Sequence, residues 1–330
     1  MTAATSRRPR RQTAAGVRGL FRDQPVIPLL GLLAILVVVI EVVDPGIVSI
    51  DWAGVIIKGS VPLAILAGCQ TIAMLTGGID LSVGAVASMT GFVTATMIHS
   101  PGGEVQGIVI ALVAASLAGF VSGVGVGVFR VHPLIMTLGM NFVVLGLANV
   151  WQLQNVQTGA GVPANLRTLG SGAFVEVLPY SLVVFVPVMA LILVGLKRTG
   201  YGRLLYAIGD NPVAARLSGA RSWQVLIVLY VISGLLAGIA GLILSGYANT
   251  ASVSLADSSV LPSIAAAVIG GTSIMGGRGG YAGSIVGAVI LTVLAALLTI
   301  LGLPEPTRQI VFGSIIVVMA AAYTRVTAES

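Results

Sequence analysis

The sequence predicts an all-α integral membrane protein of about ten transmembrane helices, and three observations carry that expectation. Of 330 residues only 17 are Lys or Arg and 11 are Asp or Glu, while 56% are hydrophobic. Such a composition lies outside the range of soluble domains. Apolar runs long enough to enter a bilayer recur along the chain. The cations also sort onto alternate connections between those runs, the asymmetry that orients a membrane protein.

Taken in order, the spans read as Val26–Val43, Val55–Leu75, Leu81–Ile98, Gly107–Phe129, Pro133–Val150, Val177–Leu196, Val225–Leu244, Val260–Ile269, Ala282–Leu301 and Ile310–Tyr323. The eighth and tenth are short, so they are tilted, extended by small polar residues or re-entrant. Residues 1–24 read as a disordered, basic cytoplasmic tail, and residues 25–325 as one membrane domain. An Arg-rich start before an apolar run also suits a signal peptide. However, Val26–Val43 is long, carries Glu41 near its end and has no small-residue cleavage site after it. An uncleaved first span is preferred.

With ten spans both termini are cytoplasmic, and fourteen of the seventeen cations fall inside. They are the six arginines of the tail, Arg130, the five between Lys197 and Arg221, then Arg278 and Arg325. Seven acids (Glu41, Asp44, Asp51, Glu104, Glu176, Asp257, Glu305) fall outside. The basic balance therefore reports topology and not nucleic-acid binding. The single Cys69 lies in an apolar run, forms no intrachain disulfide and reads as packing. Stripes of small residues (Gly119/Gly123/Gly127, Gly234/Gly238, Gly283/Gly287) let helices approach closely in lipid, and are read as packing within one subunit.

Three segments depart from plain spans. In Thr76-Gly-Gly-Ile-Asp-Leu-Ser-Val-Gly-Ala-Val86 the carboxylate of Asp80 stands between two apolar runs. A charge at membrane depth costs about 2.5–3.5 kcal/mol on insertion scales, which makes it a functional candidate. Gly77 and Gly78 leave helical geometry cheaply, and Asp80 or Ser82 can cap a helix restarting at Leu81. Broken helices with exposed N-termini build intramembrane transport sites. The alternative is that Asp80 merely caps or pairs.

In the loop Lys197–Trp223, Asn211-Pro212 is a helix start and Gly219 a helix stop, enclosing a short helix Pro212–Ser218. Such a helix suits docking into a partner's groove, or is an ordinary interfacial turn. Finally, six glycines within Gly270–Gly280 forbid a stable helix and predict a tight hairpin anchored by Arg278. No Gly-Lys-Ser/Thr ending follows, so this is not a phosphate-binding loop. The interruptions Gly77-Gly78 and Gly270-Gly271 hint at inverted symmetry between the halves.

From about residue 25 to 323 the chain resembles the permease subunit of bacterial sugar ABC importers of the ribose/xylose/arabinose type. The resemblance rests on Gly77-Gly-Ile-Asp-Leu-Ser-Val-Gly84, Pro133-Leu-Ile-Met-Thr-Leu-Gly139, Tyr206–Gly219 and Ala265–Gly280. Branched-chain amino acid and nucleoside relatives differ at Gly-Ile-Asp-Leu-Ser, which favours a sugar or sugar-like solute. The resemblance implies a helical bundle of the sugar-importer and vitamin-B12-permease kind, with broken or re-entrant helices, in the bacterial inner membrane. It also implies a second permease, identical or paralogous, a cytoplasmic ABC ATPase and an extracytoplasmic solute-binding protein. ATP and Mg would be used by that ATPase, leaving no cofactor in this chain.

On the same resemblance the ATPase-coupling helix maps onto Asn211–Gly219, with Asp210 and Arg216 beside it. Ala214, Ala215 and Gly219 are the small residues that let it seat. The chain departs from the family pattern at Asp210, Ala220 and His132, the last read as an interfacial anchor. Neutral, polyhydroxylated substrates call for hydroxyl and amide partners, so Gln70, Asp80, Ser82, Thr137 and Asn141 are candidates to line a pathway, with Asn249 further out. Helix-to-helix hydrogen bonding is the alternative for Gln70, Thr137 and Asn141.

An ion-coupled secondary transporter or channel is the rival reading, but it calls for several intramembrane ionisable groups, and Asp80 is nearly alone. A membrane enzyme fails on inventory, with two distant histidines (His99, His132), no His-Glu-x-x-His and no paired acids.

Overall fold

The computed structural model describes residues 26–97, 103–155 and 161–328, with side chains described as far as residue 319. The basic tail expected over residues 1–24, and His99, lie outside the described residues. The helices are α1 (Val26–Val43), α2 (Ile50–Leu75), α3 (Val83–Thr96), α4 (Gly103–Gly127), α5 (Pro133–Asn155), α6 (Ala164–Ser171), α7 (Leu182–Arg198), α8 (Gly200–Asp210), α9 (Pro212–Leu217), α10 (Ser222–Ala248), α11 (Val260–Ile269), α12 (Tyr281–Ile300) and α13 (Glu305–Ala328).

Six of these are long and apolar enough to cross a membrane: α1, α2, α4, α5, α10 and α12. A seventh span is available if α7 and α8, which meet at a bend of 68°, count as one. Among the described residues, the ten crossings read from the sequence are therefore not confirmed. Two of the expected spans, α3 and α11, are short helices, and α13 is described with side chains only as far as residue 319. With 14 residues α3 reaches about 21 Å, short of the ~30 Å hydrocarbon thickness. Every residue of α3 is buried by protein. Being apolar on all sides, it satisfies the pattern of a span while sitting inside the bundle. The ten-residue α11 is likewise buried along most of its length.

The interior is built from α2, α3, α10, α11 and α12. Glycine governs how closely these helices approach. The α4 stripe packs on α10 backbone: Gly119 meets Tyr230, Gly123 meets Ile227 and Gly127 meets Trp223. Gly234 answers from α10 against the Ala115 carbonyl. Gly283 and Gly287 let α12 lie on the backbone of Gly270 and Ala266. All three stripes pack within the subunit, as read from the sequence. By contrast α1 and α5 expose most of their apolar side chains, including Val38, Val42, Ile135, Phe142 and Leu153.

The connection between α5 and α7 carries structure of its own. It contains α6 and an antiparallel two-stranded hairpin, Ala173–Val175 with Leu178–Pro179. Gly170 of α6 seats against the backbone of Gly246 and Tyr247 in α10.

Candidate functional site

The chain leaves helical geometry after Leu75 and resumes it at Val83. Gly77, at φ +77°, takes the left-handed position after the α2 cap, and the Gly77 and Gly78 amides bond back to the carbonyls of Met74 and Ala73 at 2.9 and 3.1 Å. This is a Schellman closure. The same closure ends α11, where Gly271 (φ +88°) and Thr272 donate to Val268 and Ala267, each at 2.9 Å. The two glycine pairs noted in the sequence therefore end two interior helices with the same closure, the first pair lying just after the cap residue Thr76 and the second including the cap residue Gly270. The break also closes the end of a 26-residue helix of about 39 Å. It is not an interruption midway through a span.

Between these helices the backbone of residues 79–82 is buried and must find partners for its polar groups. Side chains of two helices and the Asp80 carboxylate itself supply them. Gln70 of α2 donates from Nε2 to the Asp80 carbonyl at 2.8 Å and accepts the Asp80 amide at Oε1 at 3.2 Å. Thr137 of α5 accepts the Leu81 amide at 3.1 Å and donates to the Ile79 carbonyl at 3.0 Å. The Asp80 carboxylate is 2% exposed. Its Oδ1 accepts from the Ser82 amide at 3.0 Å and hydroxyl at 2.6 Å. Its Oδ2 accepts from the Ser233 hydroxyl of α10 at 2.6 Å.

Four of the five sequence-derived pathway residues thus converge on one clasp. Gln70 and Thr137 are fully buried and bonded to backbone, so they brace the break and do not face a passage. Asn141, one helical turn beyond Thr137, is partly exposed and has no hydrogen bond among the described residues. It is the member of the set whose amide is free. Asn249 is exposed and caps α10 in left-handed geometry at φ +51°.

Two residues on α10 carry weight that the sequence did not signal. Ser233 completes the carboxylate's partners. Tyr230 is fully buried and its hydroxyl has no hydrogen-bond partner among the described residues. That hydroxyl faces Gly78, where a Cβ would come within 3.0 Å of it. A serine or tyrosine in an apolar helix has no local pattern announcing such a role.

The second element is α9. Asn211 accepts the Val213 and Ala214 amides at Oδ1, at 3.0 and 2.9 Å, Pro212 fills the first position, and Gly219 takes φ +87°. Gly219 and Ala220 donate to the carbonyls of Arg216 and Ala215 at 3.0 Å each, again a Schellman closure. The helix ends one residue before the expected Ser218. Ala214, Arg216 and Gly219 are exposed, as is Asp210 at the end of α8. Ala215 is largely buried against its own chain, at 6% exposure. The prominent exposed groups are instead Val213 and Leu217, one turn apart, at 55% and 84% exposure. A cleft of about 600 Å³ opens between α9, α8 and the start of α10, bordered by Asp210, Ser218, Arg221 and Gln224.

The glycine-rich segment is a tight turn, as expected, although Arg278 contributes only its carbonyl, which accepts the Ser273 amide at 2.9 Å, while its side chain is exposed.

Glycine-packed apolar helices, a side-chain-braced break and a capped peripheral helix suit a membrane transport component, and comparison with known proteins supplies the family. A family profile described as branched-chain amino acid transport system / permease component matches residues 54–320, and the chain belongs to this permease family. It is 32% identical over 291 residues to the ribose import permease protein of Bacillus subtilis, covering 88% of this chain and 90% of that one. It is 32% identical to the fructose import permease protein of Rhizobium meliloti, over 78% and 74% of the two chains. The autoinducer 2 import system permease protein of Yersinia pseudotuberculosis is 29% identical over 86% and 81%. No solved structure matches the chain. As a family member it is a multi-pass inner-membrane transport component and not an enzyme.

Proposed function

We propose that this chain is the membrane permease of an ATP-driven, binding-protein-dependent importer whose cargo is a monosaccharide or sugar-like solute. The observation that carries the reading is likeness along nearly the whole length of a ribose import permease. The neutral chemistry of the interior supports it, since hydroxyls and amides predominate and Asp80 is the buried ionisable carboxylate among the described residues. An ion-coupled transporter would need further groups to relay a charge.

In this reading α9 docks into an ATPase subunit. Its capped ends hold the six-residue helix together without help from the partner, and Val213 and Leu217 offer an apolar ridge to a groove. The Asp80 clasp lies at the end of α2 that faces α8, so it serves as an inner-end gate support and not as a central sugar site. Asn141 is the polar group of the predicted set that stays free to meet a hydroxylated solute. A second permease, a cytoplasmic ATPase and an extracytoplasmic binding protein complete the assembly.

The test is uptake of labelled ribose and fructose by cells lacking their own permeases and supplied with this chain, its ATPase and its binding protein. Uptake that stops on ATP depletion supports the reading. Uptake that persists without the ATPase refutes it.

A further inference from the structure

The glycine-rich turn touches the end of α2 that leads into the Asp80 break and also α8, the helix before α9. The Gly277 amide donates to the Leu75 carbonyl at 3.0 Å, satisfying the last turn of α2 just before the Asp80 break. On its other side, the Gly279 carbonyl accepts from the Tyr206 hydroxyl of α8 at 2.8 Å. Between these bonds three backbones meet. Gly209 of α8 leaves no room for a Cβ, which would overlap the Leu75 carbonyl and sit 2.6 Å from the Gly277 amide. At Gly276 a Cβ would lie 2.8 Å from the Gly209 carbonyl and 3.0 Å from the Gly77 amide. Only Asn211 separates α8 from α9.

We propose that the Gly276–Gly279 turn is the mechanical link between α9 and the Asp80 break, with Tyr206 and Gly277 as its positioning residues. The proposal rests on the reading of α9 as the ATPase-docking helix and adds the route by which its displacement reaches the membrane. Backbones in direct contact have no side-chain rotamers with which to absorb a shift, and packed interiors transmit strain. A movement of α9 carries the end of α8, which bears on the turn and, through Leu75 and Gly77, on residues 78–80. Thr272, at the base of the same turn, buries a hydroxyl with no partner among the described residues.

The experiment reads the break directly and does not depend on knowing the sugar. In a Cys69→Ala background, Ile79→Cys is labelled with a membrane-permeant thiol reagent in the complete complex, with and without ATP. ATP is expected to change the labelling rate. Tyr206→Phe, which removes one hydrogen bond and no bulk, is expected to shrink that change about twofold to tenfold, the scale of a single such bond. ATPase binding and ATP hydrolysis should be retained. Gly277→Ala, strained at φ +71° and 3.0 Å from the Asp210 Cα, should shrink it further. If the unmodified chain fails to retain the ATPase, the docking reading falls and the link with it. If the ATPase binds but the break ignores ATP, or responds equally in both variants, the link alone is refuted.

Discussion

Three donors converge on the Asp80 carboxylate, two of them hydroxyls that can be removed separately. Asp80→Ala orphans the Ser82 amide and the hydroxyls of Ser82 and Ser233, at about 1–3 kcal/mol for each buried group left unpaired. Uptake should be abolished while the protein still inserts, whereas Asp80→Asn should recover part of it. Wild-type uptake in Asp80→Ala would make the carboxylate dispensable. Gln70→Leu and Thr137→Val each strip two backbone bonds from the break. Both should lower the thermal midpoint in detergent by several degrees without changing which sugar is carried, and a change in sugar preference would restore them to the pathway. The sequence made Gln70, Asp80, Ser82 and Thr137 conspicuous because each is polar within an apolar run. It could not show that they meet, since residues 70, 80 and 137 are joined only by the fold. Ser233 stayed hidden because a serine within an apolar helix commonly bonds its own backbone.

At the scale of elements, α9 was the most legible, because caps are local chemistry: Asn-Pro before and glycine after define it without tertiary help. Its outward face was not legible, since six residues contain too little periodicity to tell Ala215 from Ala214. The two positions now predict different failures. Leu217→Glu places a charge on the exposed ridge and should release the ATPase on purification while leaving the permease as stable as before. Ala215→Glu should instead destabilise the permease, because that side chain is enclosed by its own chain. Gly219→Val meets open space within this chain but forces a β-branched residue to φ +87° and adds bulk on the docking helix, so it should weaken ATPase coupling. If Leu217→Glu keeps the ATPase bound and transports normally, α9 is not the docking element. The spans were read less well. Hydropathy cannot separate a helix wrapped in lipid from one wrapped in protein, and α3 and α11 are of the second kind.

Over the whole molecule, composition and charge placement sufficed for a multi-pass membrane protein, and the four motifs sufficed for the permease family. What they could not convey was depth. A carboxylate flanked by glycines reads as a mid-membrane site, yet the 26 residues of α2 run their full length before the break begins. Leu75 and Gly77 are thereby placed against α8 and the glycine-rich turn, where a cytoplasmic motor would act, while Asp80 folds back to the level of Gln70. The most direct measurement of the account is sugar accumulation in proteoliposomes containing this chain with its ATPase, supplied with the loaded binding protein on the opposite face. Accumulation is predicted to require ATP, the ATPase and the binding protein together, and to persist when ionophores collapse ion gradients. Accumulation that proceeds without the ATPase, or that vanishes with the ion gradient while ATP remains, would contradict it.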